Sequence, residues 1–294
     1  MDFQAWMTER LHQVEQALSA WVPADAPAGL GEAMRYGVLD GGKRLRPLLV
    51  LAAAQAVNGH NRAALRAACA VELIHAYSLV HDDMPCMDND VLRRGKPTVH
   101  VRFGQAQAML AGDAMQALAF ELLTPADDGE VAPALQARLV AVLSRGAGHS
   151  GMAGGQAIDL ASVGHQLQED QLRRMHELKT GALLQASVDM GALCGSADDS
   201  TRAALSRYGH AIGLAFQVVD DILDVTQDTE VLGKTAGKDQ EQSKPTYVSL
   251  MGLQAARQHA HELHEQALQA LVASALPDTQ RLRELADLVV HRQH

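Results

Sequence analysis

Apolar positions recur along this chain at spacings of three and four residues, the period of a helix with one buried face. Phe3, Met7, Leu11, Val14, Leu18 and Trp21 form one such stripe, and Pro23 and Pro27 end it. A short helix is predicted over residues 28–38, running into the turn Asp40-Gly41-Gly42. Pro47 stands near the start of the next helix, where a missing N–H costs little. Residues 62–84 read as one long helix stopped by Pro85, and 85–97 as a loop closed by Pro97. Further helices are predicted over 106–123, 132–147, 149–161, 167–194 and 199–224, then a polar, Gly-containing loop over 226–243 and two or three final helices. No Pro-, Gly- or Ser-rich linker divides the chain and no solenoid-length repeat recurs. The pattern predicts one domain over 1–294, a large helical bundle with buried central helices.

Composition sharpens the class. Hydrophobic residues make up 47% of the 294 residues but aromatics only 3%, and Ala and Leu dominate. Helix formers in place of β-branched and aromatic residues point to an all-α protein. Cys69, Cys86 and Cys194 are odd in number and far apart, which suits a reducing compartment better than a disulfide framework or a zinc site. A net charge of −10 argues against general nucleic-acid binding. The start, MDFQAWMTER, has early acids and no apolar core of a secretory signal. No run of 18 apolar residues suggests a membrane span. The expectation is a cytoplasmic protein. In so acidic a chain, local basic clusters stand out as sites for an anion.

Two acidic motifs carry the chemistry. Asp220-Asp221-Ile222-Leu223-Asp224 ends an apolar run, and on a helix Asp220 and Asp224 share a face. Carboxylates so close raise one another's pKa, and a cation resolves the conflict. Oxygen ligands suit Mg²⁺, which bridges readily to phosphates. A single such motif reads equally well as a solvated helix end. Asp82-Asp83-Met84-Pro85-Cys86-Met87-Asp88 is a second cluster at the end of an apolar helix, where the dipole disfavours acids. Asp88 is six residues after Asp82, off its helical face, so the Pro85 break must bring it back. Two clusters facing each other across a bundle would form a divalent-metal cage.

Basic clusters supply the complementary charge. Gly41-Gly42-Lys43-Arg44-Leu45-Arg46-Pro47 places cations on a glycine turn before a helix, where free N–H groups also attract anions. Arg93-Arg94-Gly95-Lys96 follows the first acidic motif, and Arg forks suit phosphate oxygens. Lys179-Thr180-Gly181 and Lys234-Thr235-Ala236-Gly237-Lys238-Asp239 add further cations. The full phosphate-loop pattern is absent and no strand precedes Lys234, which rejects a P-loop ATPase. Each cluster alone reads as solvated surface; with two metal motifs they suggest a site for two diphosphates.

Six segments, in order, resemble the trans-isoprenyl diphosphate synthase family, and within it the bacterial farnesyl diphosphate synthases. They are GGKRLRP at 41–47, ELIHAYSLVHDDMPCMDNDVLRRGKPTVH at 72–100, GGQAIDL at 154–160, HELKTGAL at 176–183, FQVVDDILD at 216–224 and GKTAGKD at 233–239. The resemblance implies an isoprenoid-synthase bundle with a central active-site cavity, usually a homodimer. It implies that Asp82, Asp83, Asp88 and Asp220, helped by Asp221 and Asp224, bind three Mg²⁺ through an allylic diphosphate that Arg93, Lys179 and Lys234 also contact. Lys43, Arg46, His75 and Arg94 would hold isopentenyl diphosphate, and Lys179, Thr180 and Gln217 would aim dipoles at the allylic carbon. Ionisation, attack by the isopentenyl double bond and proton loss to released diphosphate would follow.

Tyr77 and Ser78 lie one helical turn before Asp82, and by resemblance they would set a floor that favours a C15 product, (2E,6E)-farnesyl diphosphate. A lone His75 on an apolar helix, and Tyr77 and Phe216, would otherwise read as core residues. Gln156 and Asp159 would support the site by hydrogen bonds; Cys86 has no assigned role, and Arg292 could reach a diphosphate. Alternatives are a geranyl or geranylgeranyl diphosphate synthase, or a non-catalytic modulating subunit, although such a subunit should lose one aspartate cluster. A terpene cyclase or squalene-synthase-like enzyme shares the metal logic but has no need for the cations of a second diphosphate.

Overall fold

The structure, a computed structural model, describes residues 2–39, 41–126, 129–164, 167–226 and 246–292. The elements are helices α1 (Phe3–Trp21), α2 (Leu30–Val38), α3 (Leu45–Ala56), α4 (Asn61–Asp82), α5 (Val99–Phe103), α6 (Gln105–Leu123), α7 (Pro133–Ala147), α8 (Met152–Ala161), α9 (Glu169–His176), α10 (Ala182–Leu193), α11 (Asp199–Thr226), α12 (Tyr247–Met251), α13 (Leu253–Ala273) and α14 (Gln280–His291). A 3₁₀ turn precedes α2, and one pair of two-residue strands, β1 (Leu92–Arg93) and β2 (Lys96–Pro97), lies before α5. The fold is all-α, as the Ala- and Leu-rich composition implies. Its packing clusters into two units, residues 1–51 with 60–140, and residues 52–59 with 141–294.

In the first unit α4 is the central helix. Ala63, Ala64, Ala67, Ala68, Ala70 and Ala76 are all buried, and these short side chains let α1, α2 and α6 pack against it. His60 caps its start, its Nδ1 accepting from the Ala63 N–H at 3.3 Å. The helix is long and apolar enough to cross a membrane by length and composition, but 72% of that window is buried within the protein, as for the core helix of a globular fold. It ends at Asp82, two residues short of the prediction, with Asp83 as its cap. The predicted loop 85–97 contains a hairpin instead of coil throughout. Arg94 (φ 52°) and Gly95 (φ 74°) form its two-residue turn, and positive φ at both positions matches the twist of the paired strands.

Arg44 anchors this unit. It lies in the glycine-turn segment with φ 47°, and its guanidinium turns inward. It binds Glu72 on α4 at 2.6 Å, Glu15 on α1 at 2.7 Å and the Val38 carbonyl at 2.5 Å. The Arg44 and Glu72 side chains are only 3% and 4% exposed. A buried charge of this kind is tolerated because each donor has an acceptor.

In the second unit the 28-residue α11 packs against α10, α13 and α14. The buried Tyr208 on α11 donates to the Leu282 carbonyl of α14 at 2.7 Å. The stretch predicted as one helix over 167–194 is helical throughout 169–193, but Glu177–Gly181 winds as a π turn between α9 and α10. Single π turns frequently mark functional positions. Two glycines make room for this one. A Cβ on Gly155 would lie 2.0 Å from the Lys179 backbone nitrogen, and one on Gly213 would lie 2.7 Å from the Gly181 Cα.

Glu72→Leu leaves the Arg44 charge buried with one fewer partner and should lower unfolding stability by roughly 3–5 kcal/mol. Urea midpoints should show the double variant Arg44→Met/Glu72→Leu recovering most of that loss. A double variant no more stable than Glu72→Leu would mean that the unpaired charge is not the cause.

Candidate active site

The first acidic motif hangs from the C-terminal end of α4. Pro85 cannot continue the helix, and the chain folds back so tightly that the Asp88 N–H donates to the Asp82 carbonyl at 2.8 Å. Asn89, with φ 52°, completes the reversal. The break therefore returns Asp88 to Asp82, as its spacing required. The Asp83 carboxylate, 3% exposed, takes three hydrogen bonds from Arg93, at 2.6, 2.8 and 3.1 Å. This cation compensates for a carboxylate at the negative end of a helix. Burial pushes the Asp83 carboxyl above its usual range, and Arg93 opposes the shift. At Asp83, desolvation is the first cause of the shift.

A second set of cations gathers beside this motif. Arg94, at the hairpin turn, lies over the glycine turn, where a Cβ on Gly42 would meet its guanidinium at 2.6 Å. Gly42 also has φ 102°, so glycine is required there on both counts. His75 on α4 is held neutral, its pKa lowered first by burial and then by Arg46, Arg94, Arg93 and Arg44. Lys43 is exposed at the same turn. Of the cations in GGKRLRP, Arg46 bears on His75, whereas Arg44 is the buried anchor. Sequence reasoning gave Arg44 no distinct role, and its partners Glu15 and Glu72 are too distant in the chain to suggest one.

The Tyr77 and Ser78 region also has defined contacts. The half-buried Tyr77 ring packs edge-on against His81 at 5.7 Å, and its hydroxyl is hydrogen-bonded to Gln116 on α6. His81 Nε2 bonds the Met109 carbonyl at 3.0 Å, and Ser78 Oγ donates to the His75 carbonyl at 2.9 Å.

The second acidic motif ends α11, and its unit holds a separate network. Lys179, in the π turn, donates to Asp159 on α8 at 2.5 Å. Thr180 Oγ1 donates to Gln217 Oε1 at 3.0 Å, and Gln217 Nε2 donates to Asp221 Oδ1 at 2.9 Å. The other Asp221 oxygen accepts the Tyr247 N–H at 2.8 Å. His176 stacks on the Tyr247 ring at 5.4 Å and is buried enough to be held neutral, its pKa lowered to about 3. Asp221 and Asp224 are buried, whereas the Asp220 side chain is 38% exposed. Asp220 pairs with Arg292 at 2.6 Å, and the same guanidinium bonds the Phe216 carbonyl and lies 3.9 Å from its ring centre.

The carboxylates of the two motifs stand in different surroundings: Asp83 and Asp221 have protein partners on both oxygens, Asp224 is buried, and Asp82, Asp88 and Asp220 retain solvent exposure. Among the described residues, no group of three or more His, Cys, Asp or Glu side chains could hold a metal ion. Lys234 and the 233–239 segment lie outside the described residues.

The polyprenyl synthetase family model covers residues 27–287. The chain belongs to the polyprenyl synthetase family. This prenyltransferase is 47% identical to farnesyl diphosphate synthase of Escherichia coli strain K12, over 99% of both chains. It is also 47% identical to chloroplastic geranylgeranyl pyrophosphate synthase 12 of Arabidopsis thaliana, over 92% of this chain and 76% of that one. Its fold matches a Helicobacter pylori geranyltransferase complexed with magnesium and isoprenyl diphosphate, with a TM-score of 0.84 and 35% identity over 99% of this chain and 97% of that one.

In this polyprenyl synthetase, Gly155→Ala would drive a methyl group into the backbone of the π turn that carries Lys179. It should cost about 1–3 kcal/mol in a thermal or urea melt. Gly129→Ala, which meets no atom within 4 Å, should stay near neutral. Equal melts for the two variants would mean that the π turn yields without cost.

Proposed function

We propose that the protein condenses isopentenyl diphosphate with dimethylallyl and then geranyl diphosphate, releasing (2E,6E)-farnesyl diphosphate and inorganic diphosphate. One observation carries the reading: His75 is faced by Arg46 and Arg94 in addition to Arg93, the partner of the first acidic motif. An enzyme that ionised a single diphosphate would have no use for this second anion site. Lys43, Arg46, His75 and Arg94 are therefore assigned to isopentenyl diphosphate, and Arg93, Lys179 and Lys234 to the allylic diphosphate.

Mg²⁺ fits the donors, because Asp82, Asp88 and Asp220 offer accessible carboxylate oxygens and Asp220 already holds a cation in the form of Arg292. Asp83 is assigned to the metal site of the first motif and Asp224 to that of the second. Bound there, Mg²⁺ would supply Lewis-acid stabilisation of the departing diphosphate. Lys179 and Arg93 neutralise the charge that builds on the leaving group, and Thr180 and Gln217 turn oxygen dipoles toward the allylic carbon. The two substrates are held together by cations rather than by a dedicated base.

Equal identity to a farnesyl and a geranylgeranyl synthase does not choose the product length. Tyr77 favours C15, because its ring is braced by His81 and Gln116 one turn before Asp82. Exposed Val101, Met109 and Leu110 on α5 and α6 are consistent with a homodimer, and free Cys69, Cys86 and Cys194 with a cytoplasmic location.

The test is incubation of the purified protein with isopentenyl and dimethylallyl diphosphates and Mg²⁺, followed by chromatography of the products. A C15 main product is expected; a C20 main product would replace the farnesyl assignment, and absence of any condensation would refute the reading. Asp82→Ala and Asp220→Ala should each lower kcat by roughly a hundredfold or more at saturating Mg²⁺. Ser78→Phe should shorten the product toward C10, and an unchanged C15 profile would remove Ser78 from the floor.

A further inference from the structure

Asp221 sits in the middle of an acidic motif, yet its surroundings differ from those of its neighbour. The Asp220 side chain is 38% exposed and its partner is the guanidinium of Arg292 near the end of the chain. Asp221 is 2% exposed as a residue and both of its oxygens face N–H donors of this unit. Oδ1 accepts from Gln217 Nε2 at 2.9 Å and Oδ2 accepts from the Tyr247 backbone at 2.8 Å. A hard cation approaching this carboxylate would have to share two buried oxygens that each already accept a hydrogen bond.

The same contacts give the carboxylate a different task. An ionised carboxylate only accepts hydrogen bonds, so the Gln217 amide must turn its NH₂ toward Asp221. Its carbonyl oxygen then faces the other way, where it accepts from Thr180 Oγ1 at 3.0 Å. A carbonyl oxygen has two lone pairs, and the Thr180 hydroxyl occupies one. The other is left to face positive charge. With no carboxylate beyond it, the amide could flip and present N–H groups instead.

We propose that Asp221 is a positioning residue rather than a metal ligand: it fixes the Gln217 amide so that its carbonyl oxygen faces the allylic carbon during ionisation. The inference rests on the prenyltransfer reading given above. As the allylic C–O bond breaks, the electron pair leaves with the diphosphate and positive charge is left on the allylic carbon. The oriented carbonyl stabilises that charge, and a flipped amide would oppose it. Tyr247 holds the far side of the carboxylate, which ties the start of α12 to the orientation of a side chain on α11.

The test compares Asp221→Asn, Asp220→Asn, Gln217→Leu and the Asp221→Asn/Gln217→Leu pair in the full chain. Mn²⁺ is titrated by electron paramagnetic resonance in the presence of inorganic diphosphate, and kcat and KM are measured with allylic and isopentenyl diphosphates. For Asp221→Asn the expected result is Mn²⁺ affinity within about twofold of the parent and kcat lower by roughly ten- to hundredfold, with KM little changed. Asp220→Asn should lose Mn²⁺ affinity. Gln217→Leu should match the kcat loss of Asp221→Asn, and the double variant should be no slower than the slower single. The proposal is overturned if Asp221→Asn loses Mn²⁺ affinity as Asp220→Asn does, or if the two kcat losses multiply. Should Asp221→Asn melt early, Gln217→Leu serves alone: unchanged Mn²⁺ affinity supports positioning, and a tighter Mn²⁺ site overturns it. A parent that makes no prenyl product defeats the proposed function, while the Mn²⁺ comparison still decides whether Asp221 binds metal.

Discussion

A carboxylate at the end of an apolar helix has to be given positive charge, and this protein is organised around that requirement. Negative charge at a helix C-terminus opposes the dipole, and burial raises the cost. Each acidic motif meets the problem within its own unit. Asp83 is clasped by Arg93 from a hairpin that begins only four residues after Asp88. Asp220 is paired with Arg292, some seventy residues along the chain. Asp221 accepts from an amide and a backbone N–H. Carboxylates of one motif are thus placed in different environments, and those environments divide them into exposed and engaged groups.

The cations are sorted in the same way. Arg44 and Arg46 are two residues apart, but Arg44 turns into the core to meet Glu15 and Glu72 while Arg46 bears on His75. Arg93 and Arg94 are adjacent, and the strand alternation together with a turn at positive φ sends them to different partners. Clustered like charges in sequence become separated functions because backbone geometry assigns each a direction. Glycine permits the closest of these approaches. Gly42 admits the Arg94 guanidinium, and Gly155 and Gly213 admit the π turn that carries Lys179 and Thr180.

Much of the fold was legible because it follows from local periodicity. The stripe from Phe3 to Trp21, the long helix before Asp82 and the helix ending in the second acidic motif all appear within a few residues of their predicted bounds. The hairpin was missed because two-residue strands carry no periodic signal; its only trace was the Arg94-Gly95 dipeptide, read as part of a basic cluster. The π turn was missed because Glu177, Leu178 and Lys179 are ordinary helix formers and Thr180-Gly181 follows them without ending the helix. Its cause lies in contacts from Gly155 and Gly213, 24 and 32 residues from Lys179 and Gly181.

By itself the sequence determined the helical class, the family, the order of its motifs and the need for Pro85 to return Asp88 to Asp82. These are properties of neighbours along the chain, where spacing and backbone stereochemistry suffice. Only the tertiary structure decided which charges are available. Asp83 pairs with Arg93, Lys179 with Asp159, Asp220 with Arg292, and Asp221 with Gln217 and Tyr247. Such partnerships depend on which groups meet in space and on how little water reaches them, and neither is written in the spacing of residues.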